Sequence, residues 1–492
     1  MPALLPVILA LSLAAGEGSP PPAGAAGRSP VSPVQVAPVP PGAIPAPPPR
    51  ATPGAAPLTT TPSPQSRRYQ IERIRIVGLA RARESEVRRH LLFAEGELLD
   101  EEQVLLSRLR LLQLGWFSRV ETRVERGSER GLVVLVVDVS ERNTLIVTDF
   151  VLGSTDPEPL YGALGLSQQN FLGRGFGLSG AFAYGGSPTG RPQDPDRFAV
   201  RGSFFAPSLE VPGIRRGLVL GASFLVLHGE EFACADAECT LYRSDFGSAP
   251  RVRYRRLMGE GTVGIRPGPF ERLLASYRYE AVQANEIGAA ASVGGMEPAI
   301  LAGRSRVSAL TGTYELDTRD DFFFPREGMR GLFQVTFGSR LLGGDYEYSR
   351  YLLQLETAYS LFGRPLRLQA AVGAAQGSAP FFDRFYAADF SYFAIGPALG
   401  RALELNFSTD SRYDAFLAMG GVEYGIPLWT SRAFFRRGYL ALGVRVVHST
   451  ATLGGARTRV SRSPVSGDVA LRFDTPVGVF NLSAGYLLDN VL

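Results

Sequence analysis

From about Thr144 onward, apolar residues alternate with small, polar or charged ones in short runs broken by Gly, Pro, Asp and Ser. Phe176, Leu178, Phe182 and Tyr184 interleave with Gly177, Ser179, Ala181 and Ala183; Phe333, Val335 and Phe337 interleave with Gln334, Thr336 and Gly338. The same rhythm returns in Leu440–Val446, Val469–Phe473 and Phe480–Tyr486. A period of two residues predicts strands. Fifteen such segments can be read, starting near residues 145, 161, 175, 197, 216, 252, 271, 306, 329, 346, 365, 414, 436, 467 and 477. A soluble sandwich alternates too, but its inner faces exclude water. Here the second face carries Arg and Glu too often for that. A transmembrane antiparallel β-barrel, with apolar residues toward lipid and polar residues toward the lumen, accounts for both faces.

Residues 67–142 follow another pattern. Tyr69–Leu79 reads as a strand with Ile74 and Ile76 on one face, and Glu84–Phe93 as a short helix carrying Val87 and Leu91. A second helix opens at Asp100, with Gln103 as its capping-box partner, Leu105, Leu109 and Leu112 on one stripe, and Gly115 as its stop. Phe117–Val124 sets Val120, Thr122 and Val124 against Arg119, Glu121 and Arg123, and Leu132–Val139 is almost continuously apolar. The order β-α-α-β-β describes a small α/β module, close to the minimum size that folds alone.

Residues 1–15 resemble a secretory signal peptide without the usual basic start, and 16–66 form a Pro/Ala/Gly/Ser-rich linker that cannot bury a core. That linker reads as a spacer, with a ligand for a proline-binding module as the alternative. No run reaches the roughly 20 uninterrupted apolar residues of a membrane-spanning helix. A net charge of +4 over 492 residues singles out no partner. Every basic residue counted with Lys and Arg is Arg, which excludes a Walker-type phosphate loop and a Schiff-base lysine. The histidines, His90, His228 and His448, are too scattered for a metal or catalytic motif. Cys234 and Cys239 suggest a local disulfide in an oxidising compartment, with free thiols as the alternative. No metal site, cofactor site or catalytic constellation stands out, so an enzyme is the least favoured class.

Several stretches carry a resemblance. Gly96-Glu-Leu-Leu-Asp100, Leu112-Gln-Leu-Gly-Trp-Phe117, Val120 and Val137-Asp-Val-Ser-Glu141 resemble a POTRA domain. Gln169-Asn170-Phe171-Leu172-Gly173-Arg174-Gly175 resembles an early barrel hairpin of the BamA/TamA family. Asp317, Arg319, Asp320, Pro325 and Gly328 resemble its mid-barrel motif, and Phe473-Asp-Thr-Pro-Val-Gly478 its late turn. The chain is therefore similar to BamA/TamA-family surface-antigen proteins: one POTRA domain (67–142) followed by an outer-membrane barrel (143–492). The resemblance implies about sixteen strands, one more than was read. Ala379–Ile395 is the candidate for the missing one; the alternative is that the closing C-terminal strand, which in the family is usually aromatic at its end, is absent.

The resemblance also implies an outer-membrane location with the POTRA domain in the periplasm. It implies a lumenal loop whose arginine pairs with acidic residues on later strands. Arg401 falls at that offset, after Gly396 and Gly400, and Glu423 matches one partner; Pro397, Ala402, Leu403 and Ala441 depart from the pattern. An ordinary solvated arginine is the alternative. The implied function is assembly and insertion of outer-membrane proteins without a cofactor. Unfolded polypeptide would be captured along the POTRA edge, and Thr148–Gly153 would supply the first-strand side of a weak seam. Unfolded outer-membrane or secreted polypeptides, periplasmic or lipoprotein accessory proteins and outer-membrane lipid are the implied partners, and nucleic acid is not. A two-partner secretion pore, a scaffold or adhesin barrel, and a POTRA domain that is only a spacer remain the alternatives.

Overall fold

The computed structural model describes residues 8–11, 69–142, 144–153, 161–185, 197–211, 214–232, 251–285, 300–321, 325–386, 413–431, 434–450, 461–462, 465–475 and 478–488. In the small module, strand β1 (Gln70–Val77) is followed by helices α1 (Glu84–Arg89) and α2 (Glu101–Gln113), then strands β2 (Phe117–Arg126) and β3 (Leu132–Glu141). The strand β3 lies in the middle, parallel to β1 and antiparallel to β2. That position explains its unbroken apolar run: Leu135, Val136 and Val137 are fully buried. Leu135 and Val137 pack with Ile71, Val87 and Leu111 into one core.

Both helices differ from expectation in detail. The helix α1 stops at Arg89, because the chain turns to bury His90 and Phe93. In α2 only Leu112 of the predicted leucine stripe packs against the core. Leu105 is exposed, and the buried row runs through Ser107 and Leu111 with Val104 packed beside it. Ser107 tolerates burial because its Oγ accepts the Leu92 N–H at 2.8 Å. Asp100 caps the helix as predicted, through the Glu102 N–H at 2.9 Å, and Gly115 ends it at φ 72°.

The remaining strands form one large sheet, β4 (Leu145–Gly153), β5 (Tyr161–Phe171), β6 (Phe176–Gly185), β7 (Arg197–Val211), β8 (Ile214–Phe232), β9 (Arg251–Ile265), β10 (Glu271–Ala284), β11 (Gly303–Asp317), β12 (Gly328–Gly338), β13 (Tyr348–Leu361), β14 (Arg364–Gly377), β15 (Phe416–Thr430), β16 (Arg437–Thr450), β17 (Val465–Thr475) and β18 (Gly478–Leu488). Each pairs antiparallel with the next in chain order, and the strand order returns from β18 to β4. An odd number of up-and-down strands makes the first and last run the same way. At this seam the short strand Ile8–Leu11, within the expected signal peptide, lies parallel to β4, with Ile8 opposite Asp149.

The stretch 379–395 does not add a wall strand among the described residues. It begins with a helical turn at Phe381–Asp383, and Phe385–Tyr386 then pairs with Tyr413–Asp414 as the stem of a loop. The expected outward face is borne out. Phe182, Tyr184, Phe333, Phe337, Val444 and Val469 are all exposed, while inward positions are small or paired, such as Ala183, Ala441 and Ala470. No helix among the described residues is long and apolar enough to cross a membrane.

Candidate functional site

Three of the stretches singled out in the sequence converge where the module meets the barrel rim. Trp116, in the loop after α2, donates its indole Nε1–H to the carbonyl of Gln169 at 3.0 Å. Gln113, at the end of α2, donates its side-chain amide to the carbonyls of Asp317 at 3.1 Å and Arg319 at 2.9 Å. Arg83 N–H reaches the Gly173 carbonyl at 3.2 Å, and an Arg89 guanidinium N–H reaches the Ser208 carbonyl at 3.2 Å. The early hairpin is shaped for this contact. Asn170 Oδ1 accepts the Gly175 N–H at 2.7 Å, and a Cβ on Gly173 would lie 2.2 Å from the Arg81 carbonyl oxygen. On the module side, the Glu141 carboxylate accepts the N–H groups of Ala80, Arg81 and Ala82, fixing the loop that touches Gly173.

Between the two bodies lies a cavity of about 120 Å³ lined by Arg110, Gln113, Trp116, Arg266 and Phe270. His90 sits beside it, its ring edge-on to Trp116 at 5.7 Å and only 1 % exposed. Burial, then the charges of Arg266, Arg110 and Arg89, hold its pKa well below the ordinary value of 6.5, so the imidazole stays neutral.

Inside the barrel, the half nearer the module holds a ladder of alternating charges. Asp317 and Arg319 form a two-point pair at 2.9 and 2.8 Å. Arg319 lies 3.5 Å from Glu356, Glu356 lies 2.8 Å from Arg367, and Arg367 lies 3.3 Å from Glu423. The Glu423 carboxylate then accepts both guanidinium N–H groups of Arg472, at 2.7 and 2.6 Å. Glu315 bridges Arg272 and Arg330, each at 3.0 Å. Each charge has an opposite one in reach, as a partly dehydrated lumen demands.

The half farther from the module corrects the expectation of a polar lumen throughout. There Leu225, Leu227, Val252, Tyr254, Val282 and Phe381 pack into an apolar core, with Phe381 edge-on to Tyr254 at 5.2 Å. Fully buried Arg256 pairs with Glu280 and stacks over Phe382 at 3.7 Å. Asp383 takes bonds from Arg278 and from the Tyr348 hydroxyl. Phe381–Asp383, just after β14, thus fold back into the barrel and pack against the wall of this half.

The predicted mid-barrel residues lie together. Besides the Asp317–Arg319 pair, Asp320 accepts the N–H groups of Arg326 and Glu327, and Gly328 has φ 100° with a Cβ position 2.4 Å from the Thr318 carbonyl oxygen. Pro325 opens the chain's return into this turn and is buried. Glu423 stands in the ladder, engaged by Arg472 and Arg367. Its expected partner Arg401, with Gly396 and Gly400, lies outside the described residues, as do Cys234 and Cys239. Sequence reasoning missed Arg367, Arg472, Trp116, Gln113 and the plug residues Phe381–Asp383. Trp116 and Gln113 lay within a quoted motif, which was their one signal.

Comparison with known proteins adds the following. A profile of the Omp85 superfamily domain matches residues 170–491, and a POTRA profile, surface antigen variable number repeat, matches residues 69–142. No curated protein matches the chain by sequence. Among solved structures, CdiB from Escherichia coli is similar over 86 % of this chain and 73 % of its own, at 10 % identity and a TM-score of 0.55. BamA from Haemophilus ducreyi lacking POTRA domains 1–3 is similar over 86 % of this chain and 82 % of its own, at 16 % identity and a TM-score of 0.47.

Proposed function

The chain belongs to the Omp85 superfamily, and from that premise we propose that it is an outer-membrane assembly factor, with its POTRA domain in the periplasm, that helps β-strands of other proteins insert. The family has a general role in outer-membrane insertion or secretion; the choice of insertion rests on one observation. The far half of the lumen is packed around Phe381 and the buried Arg256–Glu280 pair, so the lumen is not a ready conduit. A substrate strand is better served at an edge.

Two edges are on offer. In the POTRA sheet the outer side of β1 is covered: Ile71 N–H bonds the Glu97 carbonyl, and Leu99 N–H bonds the Tyr69 carbonyl. The edge of β2 is more open, with its Val120 carbonyl taken by Arg108. An incoming segment would add to β2 by main-chain hydrogen bonds. It would then pass to Thr148–Gly153 on the seam side of β4, taking the place of the short strand Ile8–Leu11 that pairs there. Arg401 would approach the ladder near Glu423 and help hold the loop. No cofactor and no covalent step enter this scheme.

The test is reconstitution of the protein into liposomes and the folding rate of an unfolded porin added from outside. Acceleration over empty liposomes supports insertion. No acceleration, with the barrel itself folded, overturns it. The secretion-pore alternative makes an opposite prediction for a Tyr254→Cys/Phe381→Cys variant. Oxidative linkage of those two residues locks the plug, which would stop transport through the lumen and leave insertion at the seam intact.

A further inference from the structure

The outer wall of strands β8 to β11 changes character along its height. Nearest the module it is apolar and aromatic, with Ile265, Leu273 and Tyr314 in exposed cross-strand contact. Tyr277, Leu310, Tyr279 and Phe224 continue this surface upward, and Leu257 and Val226 end it. The next outward row is His228, Arg255, Gln283 and Arg304, each register partner of the one before. Arg306 stands one row below Arg304.

Height gives this row its meaning. Ten residues separate Ile265 from Arg255. At about 3.3 Å per residue and a tilt of about 40°, that is about 25 Å, the thickness of the apolar band on such barrels. The arginine row therefore lies at headgroup level on the side away from the module.

A turn completes the feature. Arg340–Leu342, between β12 and β13, does not stand up from the rim but lies against the outer wall. Ser339 N–H bonds the Ser308 carbonyl, Asp345 N–H bonds the Arg306 carbonyl at 2.8 Å, and the Tyr277 hydroxyl bonds the Leu342 carbonyl at 3.2 Å. The turn holds Arg340 outward beside Leu341, which is 97 % exposed. Turn and wall enclose a groove of about 1300 Å³ whose lining includes Arg255, Leu257, Tyr279, Arg304, Arg306 and Arg340. Arg306 is partly neutralised by Asp345 at 3.7 Å, the one carboxylate among the described residues that line the groove. A fully exposed leucine and three cations over an apolar floor make sense when the surroundings are both oily and anionic.

We propose that this groove binds a phosphorylated lipid of the outer leaflet, with Arg255, Arg304 and Arg340 on its phosphates and its acyl chains along Leu257, Tyr279 and Leu341. The inference rests on the outer-membrane placement above, but not on insertion activity. Guanidinium groups suit phosphate oxygens because their planar forks donate two hydrogen bonds at once. Cross-strand spacing sets Arg255 and Arg304 about 10 Å apart, wide enough for more than one phosphate.

The experiment uses the full chain, folded in detergent micelles and titrated by native mass spectrometry with diphosphoryl lipid A, its dephosphorylated counterpart, or inorganic phosphate. Wild-type protein should bind the diphosphoryl lipid at least about tenfold more tightly than the dephosphorylated one, and the triple variant R255Q/R304Q/R340Q should lose that preference. Gln283→Arg, which extends the row, should tighten binding. Retained preference in the triple variant, or no response to Gln283→Arg, overturns the proposal. Displacement of the lipid by inorganic phosphate at equal concentration would mark a free-anion site and overturn it as well. Folding of each variant is read from its heat-sensitive gel mobility, and failure here leaves the insertion test above untouched.

Discussion

The two halves of the lumen solve the same problem differently. Near the module, wall strands and the turn after β11 supply both signs of charge, and Asp317, Arg319, Glu356, Arg367, Glu423 and Arg472 neutralise one another in sequence. In the far half, the wall supplies Leu, Val and Tyr side chains, and the loop after β14 comes inside to cover them. A charge ladder needs only the wall and its turns, whereas an apolar lining needs a filler. The ladder stiffens the wall and leaves space; the filler takes the space.

The largest effect should come from the far half. Arg256→Met leaves buried Glu280 with only the more distant Arg278, at 3.9 Å, and breaking such a buried pair costs about 3–5 kcal/mol. The urea midpoint of the folded barrel, read by gel mobility, should fall accordingly. Phe381→Ala should cost nearly as much, about 3 kcal/mol, by opening a cavity against Tyr254. In planar bilayers it should also raise single-channel conductance, and unchanged conductance would show that the plug is not the resistance. In the near half, Glu423→Gln should cost less, about 2 kcal/mol, because the amide still accepts from one guanidinium. Equal losses for Glu423→Gln and Arg256→Met would erase the contrast between the halves.

Smaller again is an effect at the junction. His90 is neutral in the fold and protonates more readily when unfolded, so the unfolded chain binds more protons below pH 6.5. Stability from this site is therefore full above pH 6.5 and declines as pH falls, by about 1.4 kcal/mol per unit until the lowered pKa is reached. Denaturant midpoints followed by Trp fluorescence should show that slope, and His90→Phe should flatten it. Arg75→Ala, which removes an exposed pair with Glu125 at 2.5 Å, should change stability by less than about 1 kcal/mol.

The barrel wall was legible because one face of every strand meets lipid. Period-two alternation survives in Phe333–Phe337 and Leu440–Val446, and all fifteen strand starts fall within three residues of those read. The POTRA order was equally plain from caps and apolar runs. The packed far lumen was not legible. Its inward Ala, Val and Leu look like ordinary strand residues, and its filler comes from a loop whose Phe381 could have faced anywhere. In α2, three leucines advertised a stripe while Ser107 disguised the buried one. The ladder was half visible: Glu423 was singled out through resemblance, but Arg367 and Arg472 are two arginines among many until register sets them beside it.

One consequence belongs to the junction between module and barrel. Trp116, Gln113, Arg83 and Arg89 all donate to main-chain carbonyls of the rim, those of Gln169, Asp317, Arg319, Gly173 and Ser208. A main-chain carbonyl survives nearly any change of the residue that bears it. Apart from Gly173 and Gly175, whose added Cβ would meet Arg81 and Trp116, the rim can therefore drift in sequence without losing its guest, while the module bears most of the mutational risk. Evolution is free to vary the barrel, or to exchange barrels beneath one module, so long as the rim's turns keep their shape.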